Sequence, residues 1–347
     1  MDEARARELL AAAAGTDPGG LAGTEGAELL ALGENAVFAL PDASSDSGFD
    51  PGSDSDSGPG SGSGFGPGSG SGPSSGPDSG PGPGSDSGPR AAGGLVVKVG
   101  RDATHHPELL ERAEREVAVA TWLAEAGVPA VRAAEPAPRL VEGHSVTVWH
   151  RLPPAERPAT PVDLAELLLR VHALPTPAFA LPRRELLGGV ERWLRLAGEA
   201  IDPADAAYLR ARRDGFAEAA AALVPRLPVG PVHGDALPRN VYIGPEGPVL
   251  VDLETFSADF REHDLVVMAL SLDRYGLPVE QYDAFVTAYG WDVREWEGCA
   301  VLRGARETAS CAWVAQHAPT NPKALDEFRR RVASLRDGDP EVRWHPF

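Results

Sequence analysis

The 347-residue sequence predicts an α+β protein of two lobes, a small β-rich lobe followed by a larger helical lobe. Short apolar runs bounded by turn residues fill the first part of the chain, which is the pattern of strands. Apolar residues recur at helical spacing through most of the second part. A polar hairpin is expected at the junction of the lobes, where cofactor pockets are common. We divide the chain into residues 1–151 and 152–347.

The first lobe is predicted to be a small sheet that carries one helix. Pro107 opens this helix, whose apolar residues fall on one face, and Gly127 marks its end near Ala126. The predicted strands lie within residues 29–40, which read as two strands joined by a turn at Gly33, and at 94–99, 139–141 and 145–150.

A tract of different composition interrupts this lobe at residues 41–90. It contains fifteen Gly, fifteen Ser, nine Pro and seven Asp, and only Phe49 and Phe65 are large and apolar. Such a segment cannot bury enough surface to offset its ordering entropy, so we expect a disordered insertion in the hairpin between the second and third strands. Its G-x-G fragments follow no strand and open no helix, so they do not indicate a phosphate loop.

The second lobe is predicted to be mainly helical. Two short apolar strands, at 240–243 and 249–252, are joined by a tight turn at 244–247. The predicted helices lie at 161–173, 184–199, 203–223, 279–289, 294–316 and 322–336.

Charge and composition exclude several classes of function. The formal net charge is −19, which argues against binding to nucleic acid or to anionic membranes. The two cysteines suggest no disulfide framework and no metal site. The N-terminus does not read as a signal peptide, and no apolar run reaches the roughly 18 residues of a membrane span. We therefore expect a cytoplasmic protein, and nothing indicates an obligate protein partner.

The segment 232–254 contains the residue types that phosphoryl transfer requires. That chemistry needs a carboxylate to accept a hydroxyl proton, oxygen ligands for Mg²⁺ and a cation on the phosphates. Asp235 lies on a loop five residues before Asn240, a spacing that lets both side chains point into one cavity. Asp252 ends an apolar strand, where a carboxylate is poorly placed for packing and well placed for a metal.

The run H-G-D-x-x-x-x-N, followed by a hairpin and D-x-E, resembles the aminoglycoside phosphotransferase and choline kinase group of the protein-kinase-like fold. His233, Gly234, Asp235, Asn240 and Asp252 carry the resemblance, together with Pro238 and Val241. The resemblance implies that Asp235 is the catalytic base, that Asn240 and Asp252 bind Mg²⁺, and that ATP is the phosphoryl donor. Leu237 and Arg239 depart from the family's frequent His and Gly.

The same resemblance assigns the nucleotide-binding residues of the first lobe. Lys98 would bind the ATP phosphates and Glu116 would pair with it, with Glu114 as a competitor for that role. The turn over the nucleotide would be Gly33, Glu34 and Asn35, and the strand and connector whose backbone binds adenine would include Trp149, His150 and Arg151. The Trp149 side chain fits a core position equally well.

Two further residues are expected to support the catalytic loop. The resemblance gives His233 a bracing role instead of general-base work. Asp264 precedes a helix and is expected to anchor the loop as an N-cap.

These observations favour an ATP- and Mg²⁺-dependent kinase that phosphorylates a hydroxyl group of a small molecule. An aminoglycoside-like or other cationic substrate is one expectation, with Glu254, Asp259, Glu262 and Glu307 as candidate acidic contacts. The alternative is a catalytically inactive pseudokinase that binds nucleotide or a partner. A protein kinase and a metal hydrolase are disfavoured, because the chain lacks a long activation segment and further metal-spaced ligands.

Overall fold

The computed structural model describes residues 1–15, 21, 24–33, 35–41 and 94–346. The predicted insertion at 41–90 lies outside the described residues apart from Pro41, and Glu34 also lies outside them.

The elements of the first lobe are α1 (Glu3–Gly15), β1 (Glu28–Leu32), β2 (Ala36–Ala39), β3 (Leu95–Asp102), α2 (Pro107–Glu125), β4 (Arg139–Val141) and β5 (His144–His150). The five strands form an antiparallel sheet in the order β1-β2-β3-β5-β4. Because side chains alternate between the two faces of a strand, Val97 and Val99 are fully buried under helix α1 while Lys98, between them, projects from the other face.

Helix α2 covers the face of the sheet from which Lys98 projects. Its apolar side is formed by Val117, Ala120 and Leu123. These residues are buried in the same core as Trp149 of β5. This packing turns Glu116 toward β3. The predicted strands and helix α2 are therefore confirmed, and β2 and β3 are the strands that flank the predicted insertion. The prediction of a single helix in this lobe was wrong, because α1 also packs on the sheet.

The second lobe is mainly helical, as predicted. Its long helices enclose two cores, one shared with α2 and the other at the C-terminal end of the chain. The remaining elements are α3 (Pro161–His172), α4 (Val190–Ala197), α5 (Pro203–Ala221), β6 (Gly230–Val232), β7 (Val241–Gly244), β8 (Gly247–Leu250), β9 (Ser257–Asp259), α6 (Glu262–Arg274), α7 (Val279–Tyr289), α8 (Cys299–Ala315) and α9 (Pro322–Arg336).

Three helix predictions in this lobe were wrong in extent or missing. The helix predicted at 184–199 begins only at Val190, because the Arg184 N–H donates to Asp259 and Gly188 and Gly189 disfavour a helix. The helix predicted from 294 begins at Cys299, after a separate 3₁₀ turn. Helix α6 was absent from the predicted helices because its residues are buried on nearly all sides, so no amphipathic period marks it.

The predicted division at residues 151 and 152 falls in an irregular segment between β5 and α3. Within the described ranges, no helix combines the length and the apolar character that crossing a bilayer requires.

Candidate active site

Asp235 lies on the loop that follows β6, and Asn240 holds it from the next turn. The Asn240 Nδ2 donates to the Asp235 carbonyl oxygen at 2.8 Å and to Asp235 Oδ2 at 3.1 Å. Residues 238–240 form a short 3₁₀ turn, which brings the amide back over the carboxylate. The five-residue spacing therefore brings the two side chains within hydrogen-bonding distance of each other, although only Asp235 lines the larger cavity described below.

The Asp235 carboxylate is surrounded by arginine. Arg239 Nη2 donates to Asp235 Oδ2 at 2.9 Å, and Arg306 Nη1 lies 3.8 Å from Oδ1. Burial raises the pKa of Asp235, but the charges of Arg306 and Arg239 outweigh it and hold the pKa below its usual value. The carboxylate is therefore ionised at neutral pH and able to accept a proton. Arg239 is itself 68% exposed.

Asp264 anchors the start of this loop. Its carboxylate accepts hydrogen bonds at 2.8 Å from both the His233 and the Gly234 N–H, and a third from His172 Nε2 at 3.0 Å. The anchoring was predicted, but the N-cap was not found, because Asp264 is the third residue of α6 and its carboxylate binds the loop instead of its own helix.

His233 supports the catalytic loop, residues 233–240, through its buried ring. Its side chain is fully buried, and its Nε2 lies 3.1 Å from the Val251 carbonyl oxygen. The Thr255 hydroxyl donates to the His233 carbonyl oxygen at 2.8 Å. The ring therefore links the loop to β8 and its following turn, which suits a bracing role better than proton transfer.

Gly234 has a backbone conformation and a close neighbour that leave no room for a side chain. Gly234→Ala is therefore expected to disrupt the loop. Its φ is +86°, and a Cβ would lie 2.5 Å from the Thr255 carbonyl oxygen. Gly198, with φ +53° and open space around it, is the matched control. We expect the unfolding free energy to fall by about 1 kcal/mol for Gly198→Ala and about 3 kcal/mol for Gly234→Ala in urea denaturation. Equal losses for the two variants would contradict the steric argument.

Asn240 directly precedes β7 and Asp252 follows the end of β8 by two residues, so both lie at the open end of the β7–β8 hairpin. The two strands pair from Val241 with Leu250, and the Val251 N–H donates to the Asn240 carbonyl oxygen at 3.0 Å. The predicted strand 249–252 ends early, at Leu250, and Asp252 adopts a left-handed conformation with φ 59°. Burial and the neighbouring Glu254 raise the pKa of Asp252.

The side chains of this pair offer oxygen atoms of the type that Mg²⁺ binds. Within the described residues, no hydrogen bond is made to Asn240 Oδ1 or to the Asp252 carboxylate, so both retain their lone pairs. The described ranges hold no cluster of three or more His, Cys, Asp or Glu that could bind a metal. Mg²⁺ typically takes only one or two carboxylates and completes its shell with water and substrate phosphates.

Lys98 forms a buried charge cluster between the lobes. Its Nζ lies 3.0 Å from Glu116 Oε2 and also contacts Glu254, which follows Asp252 by two residues. Glu114 is exposed. Burial raises the pKa of Glu116 to about 7, against the attraction of Lys98. The cluster ties the sheet, α2 and the turn after β8 to one point.

The turn after β1 joins this cluster. The Gly33 N–H donates to the Asn35 carbonyl oxygen at 3.0 Å, and Asn35 Nδ2 donates to Glu254 Oε1 at 2.8 Å. A small cavity of about 30 Å³ lies beside Lys98, Glu116 and Asn35. The predicted nucleotide turn is thus brought to the predicted phosphate-binding lysine.

The predicted adenine-binding connector, Trp149 to Arg151, lies away from both cavities, unlike Lys98 and Asp235. The Trp149 side chain is buried in the core, and its Nε1 donates to Thr147 Oγ1 at 2.8 Å. The backbone N–H groups of His150 and Arg151 donate to the carbonyl oxygens of Arg132 and Gly94. These three residues line neither the cavity beside Lys98 nor the one beside Asp235.

A larger cavity of about 880 Å³ adjoins Asp235 and Asp252. None of the four acidic residues expected to receive a cationic substrate lines it, so the expected placement of these residues was wrong. Each is engaged elsewhere in the fold: Glu254 with Lys98, Asp259 with Arg183 and the Arg184 N–H, Glu262 with the N–H groups of Arg226 and Leu227, and Glu307 with Arg274.

Two cavity residues, Arg184 and Arg306, were not predicted from the sequence. Arg306 lies on α8, and Arg184 lies in the segment before α4 that was predicted to be helical. Neither belongs to a motif, and only the packing of α8 against the catalytic loop brings Arg306 to Gly234 and Asp235.

Solved structures with the same fold include three that align over nearly the whole chain. A choline/ethanolamine kinase family protein from Mesorhizobium loti is 17% identical, with a TM-score of 0.56 over 98% of this chain and 97% of that chain. An amicoumacin kinase in complex with AMP-PNP, Ca²⁺ and Ami is 12% identical, with a TM-score of 0.58 over 92% and 91%. A thermostable mutant of aminoglycoside phosphotransferase APH(4)-Ia is 12% identical, with a TM-score of 0.55 over 90% and 94%. These likenesses establish an α+β kinase-like fold.

A search of curated protein sequences found no match. The profile of the phosphotransferase enzyme family matches residues 88–302, which include Lys98, Glu116, Asp235, Asn240 and Asp252. This chain therefore belongs to the phosphotransferase enzyme family and is a small-molecule kinase of that family.

Proposed function

We propose that the protein transfers the terminal phosphoryl group of ATP to a hydroxyl group of a small molecule in a Mg²⁺-dependent reaction. Asp235 is the proposed base, Asn240 and Asp252 are the proposed metal ligands, and Lys98 is the proposed phosphate-binding cation. One observation carries the proposal: contacts connect these residues without a break. Asp235 is bonded to Asn240, Asn240 is paired with the strand that leads to Asp252, and Glu254 contacts Lys98.

Asp235 would accept the proton of the acceptor hydroxyl. Its lowered pKa keeps it ionised, and the Asn240 amide fixes the direction of its Oδ2. Phosphoryl transfer proceeds through a loose transition state, so the residue mainly orients the hydroxyl and takes the proton late. A carboxylate with a low pKa is a weak base, but it can still orient the acceptor hydroxyl in this way.

Lys98 would neutralise charge on the ATP phosphates. Glu116 holds the ammonium with both carboxylate oxygens, at 3.1 Å and 3.0 Å, and so sets its direction. Gly33 and Asn35 would cover the phosphates from the β1–β2 turn, together with Glu34. The backbone near Trp149, His150 and Arg151 remains the proposed adenine contact, through carbonyl oxygens because its N–H groups at 150 and 151 are engaged.

Asn240 Oδ1 and the Asp252 carboxylate would hold Mg²⁺, which supplies charge neutralisation on the phosphates when it is bound. The amicoumacin kinase that shares the fold was solved with AMP-PNP and Ca²⁺, which supports nucleotide and divalent-ion binding in this crevice.

The pseudokinase alternative is less well supported. Lys98, Glu116, Asp235, Asn240 and Asp252 are all present, and hydrogen bonds join Lys98 to Glu116 and Asn240 to Asp235. A binding module would have no need of an ionised carboxylate beside a substrate-sized cavity.

Asp252→Asn is expected to weaken AMP-PNP binding in Mg²⁺ by at least about tenfold, or about 1.4 kcal/mol. The amide keeps the size of the side chain but loses the charge that binds the metal. Isothermal titration with and without Mg²⁺ measures the effect, which should vanish when EDTA is present. Asp326→Asn, which changes an exposed carboxylate on α9, is the control. An unchanged affinity in Asp252→Asn would contradict the proposed ligand set.

Turnover tests the function as a whole. ADP release from Mg-ATP, measured with a panel of hydroxyl compounds of different charge, should rise above the rate without acceptor for at least one of them. Loss of that turnover in Asp235→Asn separates the enzyme from a pseudokinase.

A further inference from the structure

The cavity beside Asp235 is rich in arginine. Arg184, Arg239, Arg306 and Arg331 line it, against the carboxylates of Asp235, Asp252 and Glu185. Asp235 and Asp252 already have proposed roles, and Glu185 is exposed. The acidic groups of the cavity therefore either have a proposed role in the reaction or are exposed. The proposed reaction does not account for the arginines.

Two of these arginines have structural partners. Arg331 donates to Glu327, Ser310 and the His345 carbonyl oxygen, and it packs on Trp344. Arg239 is paired with Asp235.

Arg184 has no such partner. Among the described residues, its guanidinium makes no hydrogen bond and no ion pair, and its Nε is buried. Arg184 Nε lies 3.2 Å from the position that a Cβ on Gly234 would occupy, so the cation sits against the catalytic loop.

Arg306 is the second cation at this point. Its side chain is 11% exposed, one nitrogen contacts the Gly234 carbonyl oxygen, and its Nε is buried without a partner. Burial lowers the pKa of Arg306 to about 10, and repulsion from Arg184 adds to the effect. Burial also lowers the pKa of Arg184. Two partly buried cations that repel each other, each with a buried Nε that has no hydrogen-bond acceptor in the described part of the chain, leave a place for a further negative charge beside Asp235.

The rest of the cavity is apolar and aromatic. Trp193, Tyr275 and Trp313 line it together with Val267 and Leu270. Such walls suit a flat or aliphatic body, and a guanidinium is the side chain that best fits a planar carboxylate or a phosphate.

We propose that the acceptor molecule carries a carboxylate or phosphate group, which Arg184 and Arg306 bind while its hydroxyl group meets Asp235. This inference rests on the proposed function, because it concerns the acceptor of the same reaction. It replaces the expectation of a cationic acceptor with an anionic one.

Three matched probes test the charge of the acceptor. They are 3-hydroxy-3-phenylpropanoate, its neutral amide, and the cationic 3-amino-1-phenylpropan-1-ol. We expect the acid to bind at least about tenfold more tightly than the amide or the amine in isothermal titration with Mg²⁺ and AMP-PNP present. Equal affinities, including the absence of measurable binding by all three, or a preference for the amine or amide would overturn the proposal.

Variants of Arg184 test whether the acid binds at this arginine. Arg184→Gln should lower the affinity for the acid about tenfold and leave the amide unaffected, and Arg184→Lys should restore part of the loss. Arg195→Gln, at an exposed position on α4, is the control and should change neither. Unaltered binding of the acid by Arg184→Gln would overturn the assignment.

A negative group could also come from the terminal phosphate of the nucleotide. If Arg184→Gln weakens AMP-PNP binding and not binding of the acid, the arginine serves the nucleotide and the proposal is wrong. The acid is also titrated without nucleotide, so a protein that binds no Mg-AMP-PNP contradicts the proposed kinase reaction while the anion preference is still measured.

Discussion

Asp235→Asn is expected to lower kcat by about 10²- to 10⁴-fold, the usual contribution of a positioned general base. The amide cannot take the proton of the acceptor hydroxyl, but it retains the size of the carboxylate and an oxygen for the Asn240 amide. We therefore expect an unchanged fold and a much slower reaction. Steady-state ADP release with the best acceptor of the panel measures the effect.

Nucleotide binding by the same variant distinguishes chemistry from structure. Titration with Mg-AMP-PNP should give an affinity within about threefold of the wild type, or about 0.7 kcal/mol. Asp326→Asn is again the control and should retain full kcat. A variant of Asp235 that turns over at the wild-type rate would remove this residue from the mechanism.

Asp264→Ala is expected to lower the free energy of unfolding by about 4 kcal/mol, because it leaves three buried donors without their acceptor. Those donors are the His233 and Gly234 N–H groups and His172 Nε2. Since they fix the start of the catalytic loop, kcat should fall as well. Glu166→Ala, at an exposed position on α3, should change neither quantity by much.

The pH dependence of stability provides a second readout of Asp264. Burial raises its pKa, but hydrogen bonds and the charges of His172 and His233 outweigh burial and lower the pKa to about 2. A carboxyl group with a lowered pKa stabilises the fold above its unfolded pKa of about 3.9, and the contribution is lost as the pH falls toward 2. Urea titrations between about pH 6 and about pH 3 should show the wild type losing more stability than Asp264→Asn. Parallel losses would contradict the role of this carboxylate.

The local elements of the first lobe could be predicted from the sequence because their signals are local. Alternating valines around Lys98 predict a strand, and Pro107 with its apolar face predicts α2. The pairing of Lys98 with Glu116 needs only one strand and one helix in the right order. Glu114 is excluded by its exposure, which a strand and a helix in sequence do not reveal.

The second lobe shows where such signals fail. Helix α6 is buried on nearly every side, so it lacks the polar face by which a surface helix is identified. The segment before α4 has apolar residues at suitable intervals, but a tertiary hydrogen bond from Arg184 to Asp259 holds it in an irregular conformation. Packing across the chain decides both cases.

The candidate site divides in the same way. Asp235, Asn240 and Asp252 could be selected because they lie within eighteen residues of one another in a single motif. Arg306 is far away along the chain, and the acidic residues that seemed suited to a cationic acceptor are engaged in internal contacts. The substrate charge that the cavity favours depends on which side chains line it. The packing of the whole fold decides which side chains those are.

The most direct test of the account is a crystal structure with AMP-PNP and Mn²⁺ in place of Mg²⁺, with an anomalous difference map. The account predicts a manganese peak about 2.2 Å from both Asn240 Oδ1 and the Asp252 carboxylate, on the side that faces Asp235 and Lys98. A manganese ion bound with the nucleotide but out of reach of both residues would contradict it.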